Sequence, residues 1–308
     1  MSESAFTLPS TMRVFERGWL SSNNVVFLGR TETAMVDTGY VAHAGQTLAL
    51  VAHALGGRSL DRIVNTHLHS DHCGGNAALV ARYACRTAIP VAEADKVARW
   101  DESALSFIAT GQQCDRFSFD ETVSPGDLLT MGDLSWQALA APGHDPHSLI
   151  LYCAAEGILI SADALWQNGF GVIFPELAGE SGFAEVGDTL DLIAGLDVRL
   201  VIPGHGAPFT DVGAALARAR SRLHYLAADP LRNARNAVKV VLKFVLLERQ
   251  RIAMAAIAPL LASMPVVVAT NARLLHMDFD DLAAWAVGEL VRARAARLVD
   301  GVLENCDD

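Results

Sequence analysis

The stretch Asn65-Thr66-His67-Leu68-His69-Ser70-Asp71-His72-Cys73-Gly74-Gly75-Asn76 decides how this chain is read. It sets His67, His69, Asp71 and His72 in the spacing H-x-H-x-D-H, with four candidate metal donors inside six residues. Residues 60–65 read as a short strand that runs into the motif. Gly74 and Gly75, followed by residues 77–83, read as a tight turn and the start of a helix. In extended backbone alternate side chains share a face, so His67 and His69 can point at one ion. Asp71 and His72 lie one turn further on and can reach a second. Imidazole and carboxylate donors suit zinc, iron or manganese. A histidine-rich surface loop is the bland alternative, but three histidines and an aspartate this close together favour a metal site.

Outward from the motif, residues 12–37 read as β structure. Two apolar runs, residues 25–28 and 33–37, flank a turn at 29–32. Residues 43–55 carry Leu48, Val51, Ala52 and Leu55 at helical spacing, closed by Gly56-Gly57. Past the motif, a helix over 75–84 leads to a strand over 87–91. Residues 92–108 read as a helix hanging over the site, with Trp100 and Phe107 facing the same opening. Residues 128–141 form two strands around Gly132-Asp133. Further strands cover 149–152, 157–161 and 200–203, with a helix over 183–194. His67, His144, Asp163 and His205 each fall just past a strand end, and loops at one edge of a sheet are where sites are built.

From about Thr210 the composition shifts to Ala, Leu and Arg. Helices are expected over 213–228, 233–248, 252–263 and 280–299, with Asp278 and Asp280 as N-caps and Gly301 as a C-cap. The chain thus divides into a motif-bearing region, 1–210, and a C-terminal helical region, 211–308. Residues 252–272 carry no charge, but Pro259 and Pro265 break them into short helices that suit a core better than a membrane.

The chain has 308 residues, 51% of them hydrophobic and 19% charged, which fits a folded protein with a substantial core. Its formal net charge of −11 argues against a general nucleic-acid-binding face. Five cysteines, Cys73, Cys85, Cys114, Cys153 and Cys306, form no C-x-x-C pair and suit a reduced, cytoplasmic protein. Residues 1–6 lack a basic start and an apolar core, so no signal peptide is expected.

The order H-x-H-x-D-H, then Pro142-Gly143-His144, then Asp163 after a strand, then Pro203-Gly204-His205-Gly206, resembles the metallo-β-lactamase superfamily, glyoxalase II-like branch. The resemblance covers residues 12–210. It implies an α+β fold, the four-layer αββα sandwich, with metals at one edge between the sheets. By motif match, His67, His69 and His144 correspond to the first ion's ligands, and Asp71, His72 and His205 to the second's. Asp163 corresponds to the bridging carboxylate, where antibiotic-cleaving β-lactamases often carry cysteine. Asp37, in Val-Asp-Thr-Gly, matches a position that supports the site from behind. The tail resembles the winged-helix-like appendage of some members, a few of which cleave RNA. His147 stands where glyoxalase II commonly has glycine. Arg232, Arg235 and Lys239 are candidates for the basic grip on glutathione, although a solvated helix face explains them as well.

These readings converge on a dinuclear hydrolase with two divalent ions, zinc first and iron or manganese as alternatives. A metal-bridging hydroxide would attack a small carbonyl substrate, a thioester foremost. Asp71 would orient the nucleophile and assist the leaving group. Residues 166–174, with Trp166 and Phe170, suit a pocket wall or flap. Two other classes stay open, a phosphodiesterase or ribonuclease and a ligand-sensing protein on the same scaffold. The expected partner is a small molecule, with neither nucleic acid nor membrane. The Ala-rich tail suits packing on its own core or on a second copy.

Overall fold

The computed structural model describes residues 6–306, so the signal-peptide expectation falls largely outside the described residues. The first half runs β1 (Met12–Phe15), β2 (Asn24–Leu28), β3 (Thr33–Val36), α1 (Ala44–Leu55), β4 (Arg62–Val64), α2 (Ser70–Cys73) and α3 (Asn76–Tyr83). It continues through β5 (Arg86–Pro90), α4 (Ala94–Arg99), α5 (Phe107–Thr110) and β6 (Glu121–Val123). The strands form one sheet in chain order, antiparallel from β1 to β3 and parallel from β3 to β6. In β2 the period of two is plain. Val25 and Phe27 enter the core between the sheets, while Val26 faces the outer layer with Met35 and Ile63. Thr47, Val51 and Leu55, four residues apart, form the buried stripe of α1, which Gly56 ends in the left-handed region.

The second half holds β7 (Leu128–Met131), β8 (Leu134–Ala140), β9 (Leu149–Cys153), β10 (Ile158–Ala162), α6 (Phe174–Ala178), α7 (Phe183–Ala194) and β11 (Leu200–Pro203). Their sheet has the order β11-β10-β9-β8-β7, antiparallel except for the β10–β11 pair. Every residue of β9 and β10 is buried, as expected for strands covered on both faces. The two sheets meet over Phe27, Val36, Trp136, Leu151, Ile160 and Ile202. Val51 and Leu79 cover the outer face of the first sheet, and Val186, Leu190 and Ile193 that of the second. This is an αββα sandwich. The expected lid helix over 92–108 is instead two short helices, α4 and α5, joined by a turn. Trp100 and Phe107 pack against Phe117 and Val97 rather than facing the site.

Helix α8 (Val212–Ala227) puts Ala215, Leu216 and Ala219 into the cluster that holds Leu190 and Val201, so it packs on the second sheet. The tail follows as α9 (Pro230–Arg249), β12 (Arg251–Ala253), α10 (Met254–Ala262), α11 (Pro265–Thr270), α12 (Phe279–Arg292), β13 (Ala296–Val299) and β14 (Val302–Asn305). Its core gathers Leu242, Val245, Leu261, Leu282, Leu290 and Leu303.

Two helix expectations are corrected here. Ile252 lies in β12 opposite Leu303, and residues 296–299 form a strand and not the end of a helix. Gly301 is no C-cap. Asp300 (φ 49°) and Gly301 (φ 75°) make the two-residue turn of a hairpin that sets Val299 opposite Val302. Asp278 does cap α12, its side chain accepting from the Asp280 N–H. The tail is thus helices around a small sheet of order β12-β14-β13 that ends in a hairpin.

Among the described residues no helix is long and apolar enough to cross a membrane. The apolar pair Met254–Ala262 and Pro265–Leu275 is bent by 79°. Its Ile257, Leu261 and Val267 are buried in the tail core. The tail meets the sandwich where Phe244 of α9 packs edge-on against Tyr40 at 5.2 Å, beside Leu20.

Candidate metal centre

Four strand ends deliver the donors. After β4, Asn65 Nδ2 donates to the His72 carbonyl at 3.2 Å, and Asn76 Nδ2 donates to Asn65 Oδ1 at 2.7 Å, so the motif loop is tied across its own turn. The Leu149 N–H donates to the Thr66 carbonyl at 2.9 Å and joins this loop to the second sheet. The register of β10 shifts at its end, and Ala162 adopts φ 45°, a conformation few side chains take. That bend aims Asp163 inward. Gly204, just past β11, runs so close to Asp163 Oδ1 that a Cβ there would collide with it.

The structure brings seven side chains into two adjoining groups. His67, His69 and His144 form one, and Asp71, His72, Asp163 and His205 the other, with donor atoms inside each group within 4.8 Å of one another. In the first group, His69 Nδ1 lies 3.1 Å from His67 Nε2 and 2.8 Å from His144 Nε2. Asp163 stands between the groups. Its Oδ2 is 3.3 Å from His144 Nε2, and its Oδ1 is 3.4 Å from His72 Nε2 and 3.8 Å from His205 Nε2. Asp71 Oδ2 is 3.0 Å from His205 Nε2.

Hydrogen bonds behind the donors fix which ring nitrogen faces in. His144 Nδ1 donates to the Val172 carbonyl at 2.5 Å, and His72 Nδ1 donates to Asp37 Oδ2 at 2.8 Å. The Thr66 hydroxyl donates to Asp37 at 2.7 Å and sits 3.1 Å from His67 Nδ1, which makes it the natural acceptor for that ring's proton. Asp37, itself in the left-handed region (φ 53°), therefore orients two of the histidines. His72 Nε2 is buried with no hydrogen-bond partner, an orphan that a cation would satisfy.

The electrostatics point the same way. Burial, then repulsion from His69, lowers the His144 pKa to about 4, and burial holds His67 well below the usual histidine range. Burial works against a charged His72, but Asp37, Asp163 and Asp71 outweigh it and raise its pKa well above normal. Burial also opposes ionisation of Asp163, yet His205 and His72 hold it well below the carboxylate range. Neutral imidazoles on one side and ionised carboxylates on the other suit two divalent cations.

A small pocket of about 110 Å³ opens over these donors. Trp166 and Phe170 line it, and the Trp166 Nε1–H donates to Asp163 Oδ1 at 3.2 Å. His147 points elsewhere, with Nε2 3.8 Å from Glu93 Oε1. Arg232 sits over the Tyr225 ring and beside Asp229, and Lys239 faces Glu289. Sequence reasoning missed Trp19, which stacks on His205 with centroids 5.3 Å apart and planes 9° apart. It also missed Gln112, whose side-chain carbonyl accepts from Ser70, and Arg222, Val240 and Phe244, which α8 and α9 supply to the pocket. None of these sits in a motif.

A family model described as the metallo-beta-lactamase superfamily matches residues 17–205, more than half of the chain. A hydroxyacylglutathione hydrolase from Rhodobacter capsulatus is 30% identical over 147 residues, covering 47% of this chain and 48% of that protein. The chain spans about half or less of the length of the first curated relatives it matches. A beta-lactamase domain protein from Burkholderia ambifaria aligns with a TM-score of 0.55 at 19% identity, covering 98% of this chain and 97% of that one. The likeness of fold therefore takes in the tail. A structure solved in a di-iron-bound form covers 67% of this chain and 98% of its own, with a TM-score of 0.54 at 22% identity. The family model, joined to the sandwich and its donor set, places the chain in the metallo-β-lactamase superfamily.

Proposed function

We propose that this protein is a metal-dependent hydrolase with a dinuclear site, acting on a small carbonyl substrate, a thioester first among them. The convergence of seven donors from four strand ends carries the reading. His67, His69 and His144 would hold one ion, Asp71, His72 and His205 the other, and Asp163, with one oxygen toward each group, would bridge them. Zinc fits this nitrogen- and carboxylate-rich set, and so do iron and manganese. Such a pair supplies Lewis acidity that lowers the pKa of water towards neutrality and stabilises charge on a carbonyl oxygen.

The chain's own residues do the rest. Asp71 faces the pocket beside His205 and is placed to orient the attacking water. As the water oxygen bonds to the carbonyl carbon and the carbon–sulfur bond breaks, Asp71 would carry the water's proton to the leaving sulfur. Asp37, behind His72 and Thr66, takes a hydrogen bond from each and so turns His72 Nε2 toward the site. Trp19, Trp166 and Phe174 wall the pocket and restrict water around the scissile bond. Relatives named hydroxyacylglutathione hydrolase support a thioester as substrate.

The test is a panel of thioesters, lactones and phosphodiesters, run on protein loaded in turn with zinc, iron and manganese, with metal content measured alongside. Two ions per chain and thioester turnover are expected. His69→Ala should lose metal and turnover together, and full activity in a metal-free variant would end the reading. Preference for phosphodiesters would move the protein to another reaction class.

A further inference from the structure

Arg222, on α8, is the one arginine or lysine lining the pocket over the donors, among the described residues. Its guanidinium lies 5.6 Å from the centroid of the Phe170 ring. Its Nε is buried with no hydrogen-bond partner. Burial lowers its pKa, and no charged neighbour contributes. Its neighbours on the same helix differ, because Arg220 pairs with Asp191 at 2.7 Å and Arg218 donates to the Gln167 carbonyl at 2.7 Å. The main chain opposite is kept clear of it. Gly169 has φ +138°, and a Cβ there would stand 2.9 Å from Arg222 Cδ.

A guanidinium does not shed its proton when half-buried, so one whose Nε is shut away without a partner carries a standing desolvation cost. That cost is offset when an oxyanion enters and takes the fork of N–H donors. We infer that Arg222 sets the specificity of this pocket, and that the substrate carries a fixed negative charge, a carboxylate or a phosphate-type group, on the short fragment next to its scissile carbonyl. The closeness of charge and carbonyl follows from the pocket, in which Arg222 shares one lining with Asp71, Asp163 and His205. The inference rests on the hydrolase reading for the scissile bond and on Arg222 alone for the charge.

The test compares three thioesters of N-acetylcysteamine on the metal-loaded full-length protein. The acyl groups are succinyl, 3-phosphonopropionyl and the neutral valeryl. One of the two anionic thioesters should exceed valeryl in kcat/KM by about ten- to a hundredfold, the scale of a charge-assisted pair, and which one does so tells carboxylate from phosphate. Arg222→Gln should abolish that preference, read as the ratio of anionic to valeryl kcat/KM falling to about one. Arg222→Lys, which keeps the charge and loses the fork, should retain part of it. A wild type indifferent to charge, or a Gln variant that keeps the preference, overturns the inference and leaves the hydrolase reading standing.

If no thioester is cleaved, the hydrolase reading fails instead. The charge is then decided by calorimetric binding of the matching non-hydrolysable amides. The wild type should bind an anionic amide at least about tenfold tighter than the valeryl amide, and equal binding refutes the inference.

Discussion

At the scale of single residues, the proposed centre is a set of histidines and aspartates, three of the rings turned by hydrogen bonds made behind them. Asp37 takes three hydrogen bonds, from the Thr66 N–H, the Thr66 hydroxyl and His72 Nδ1. Asp37→Asn turns one acceptor oxygen into a donor and removes the charge behind His72. Metal affinity and turnover should each fall about ten- to a hundredfold, measured by chelator competition and by kcat/KM. A variant with wild-type affinity would show that Asp37 is packing and no more. Gly204→Ala tests the other side of the site, because its Cβ would push Asp163 off its place between the groups. Weaker metal binding with an unchanged far-UV spectrum is expected. The donors were legible in the sequence because the chemistry restricts both residue type and spacing, and because each follows a strand. Asp37 was legible through its own short motif. Trp19 and Arg222 were not, since a lone tryptophan and one arginine among several on a helix carry no local mark of the pocket they share.

At the scale of elements, Val51 and Leu55 of the α1 stripe are visible in the residues themselves, although Thr47 is buried with them where Ala52 was expected, and α7 occupies the expected 183–194. The tail was harder. Residues 296–299 follow α12 and continue its mix of Ala, Arg and apolar residues, so periodicity extends the helix through them. The correcting signal was Asp300-Gly301, a dipeptide that favours a hairpin turn with both residues at positive φ. Gly301→Val puts a β-branched residue at φ 75° and should cost about 1–2 kcal/mol, read as a lower Tm with thioester turnover unchanged. In the sandwich, Trp136 is fully buried between the sheets and its Nε1–H donates to the Met131 carbonyl at 3.1 Å. Trp136→Ala should therefore cost about 3–5 kcal/mol in denaturant unfolding, the penalty of a large core cavity.

At the scale of the whole molecule, the composition shift near Thr210 marks where the motifs end but not where the packing ends. Helix α8 lies in the same apolar cluster as α7 and β11, and Phe244 of α9 seals Tyr40 and Leu20. A chain stopped after Thr210 would expose both faces, so it should aggregate or lose cooperative unfolding, as seen by size exclusion and circular dichroism. A monodisperse, active fragment would show instead that the catalytic region stands alone. The donors come from sheet ends, whereas part of the pocket wall comes from helices beyond the motif region. On the proposed reading, reactivity lies with the motif region and part of the selectivity with the helices that follow it. Mutagenesis confined to α8 and α9 could redirect which compounds are accepted while the bond-breaking apparatus stays as it is, a separation that laboratory evolution could exploit.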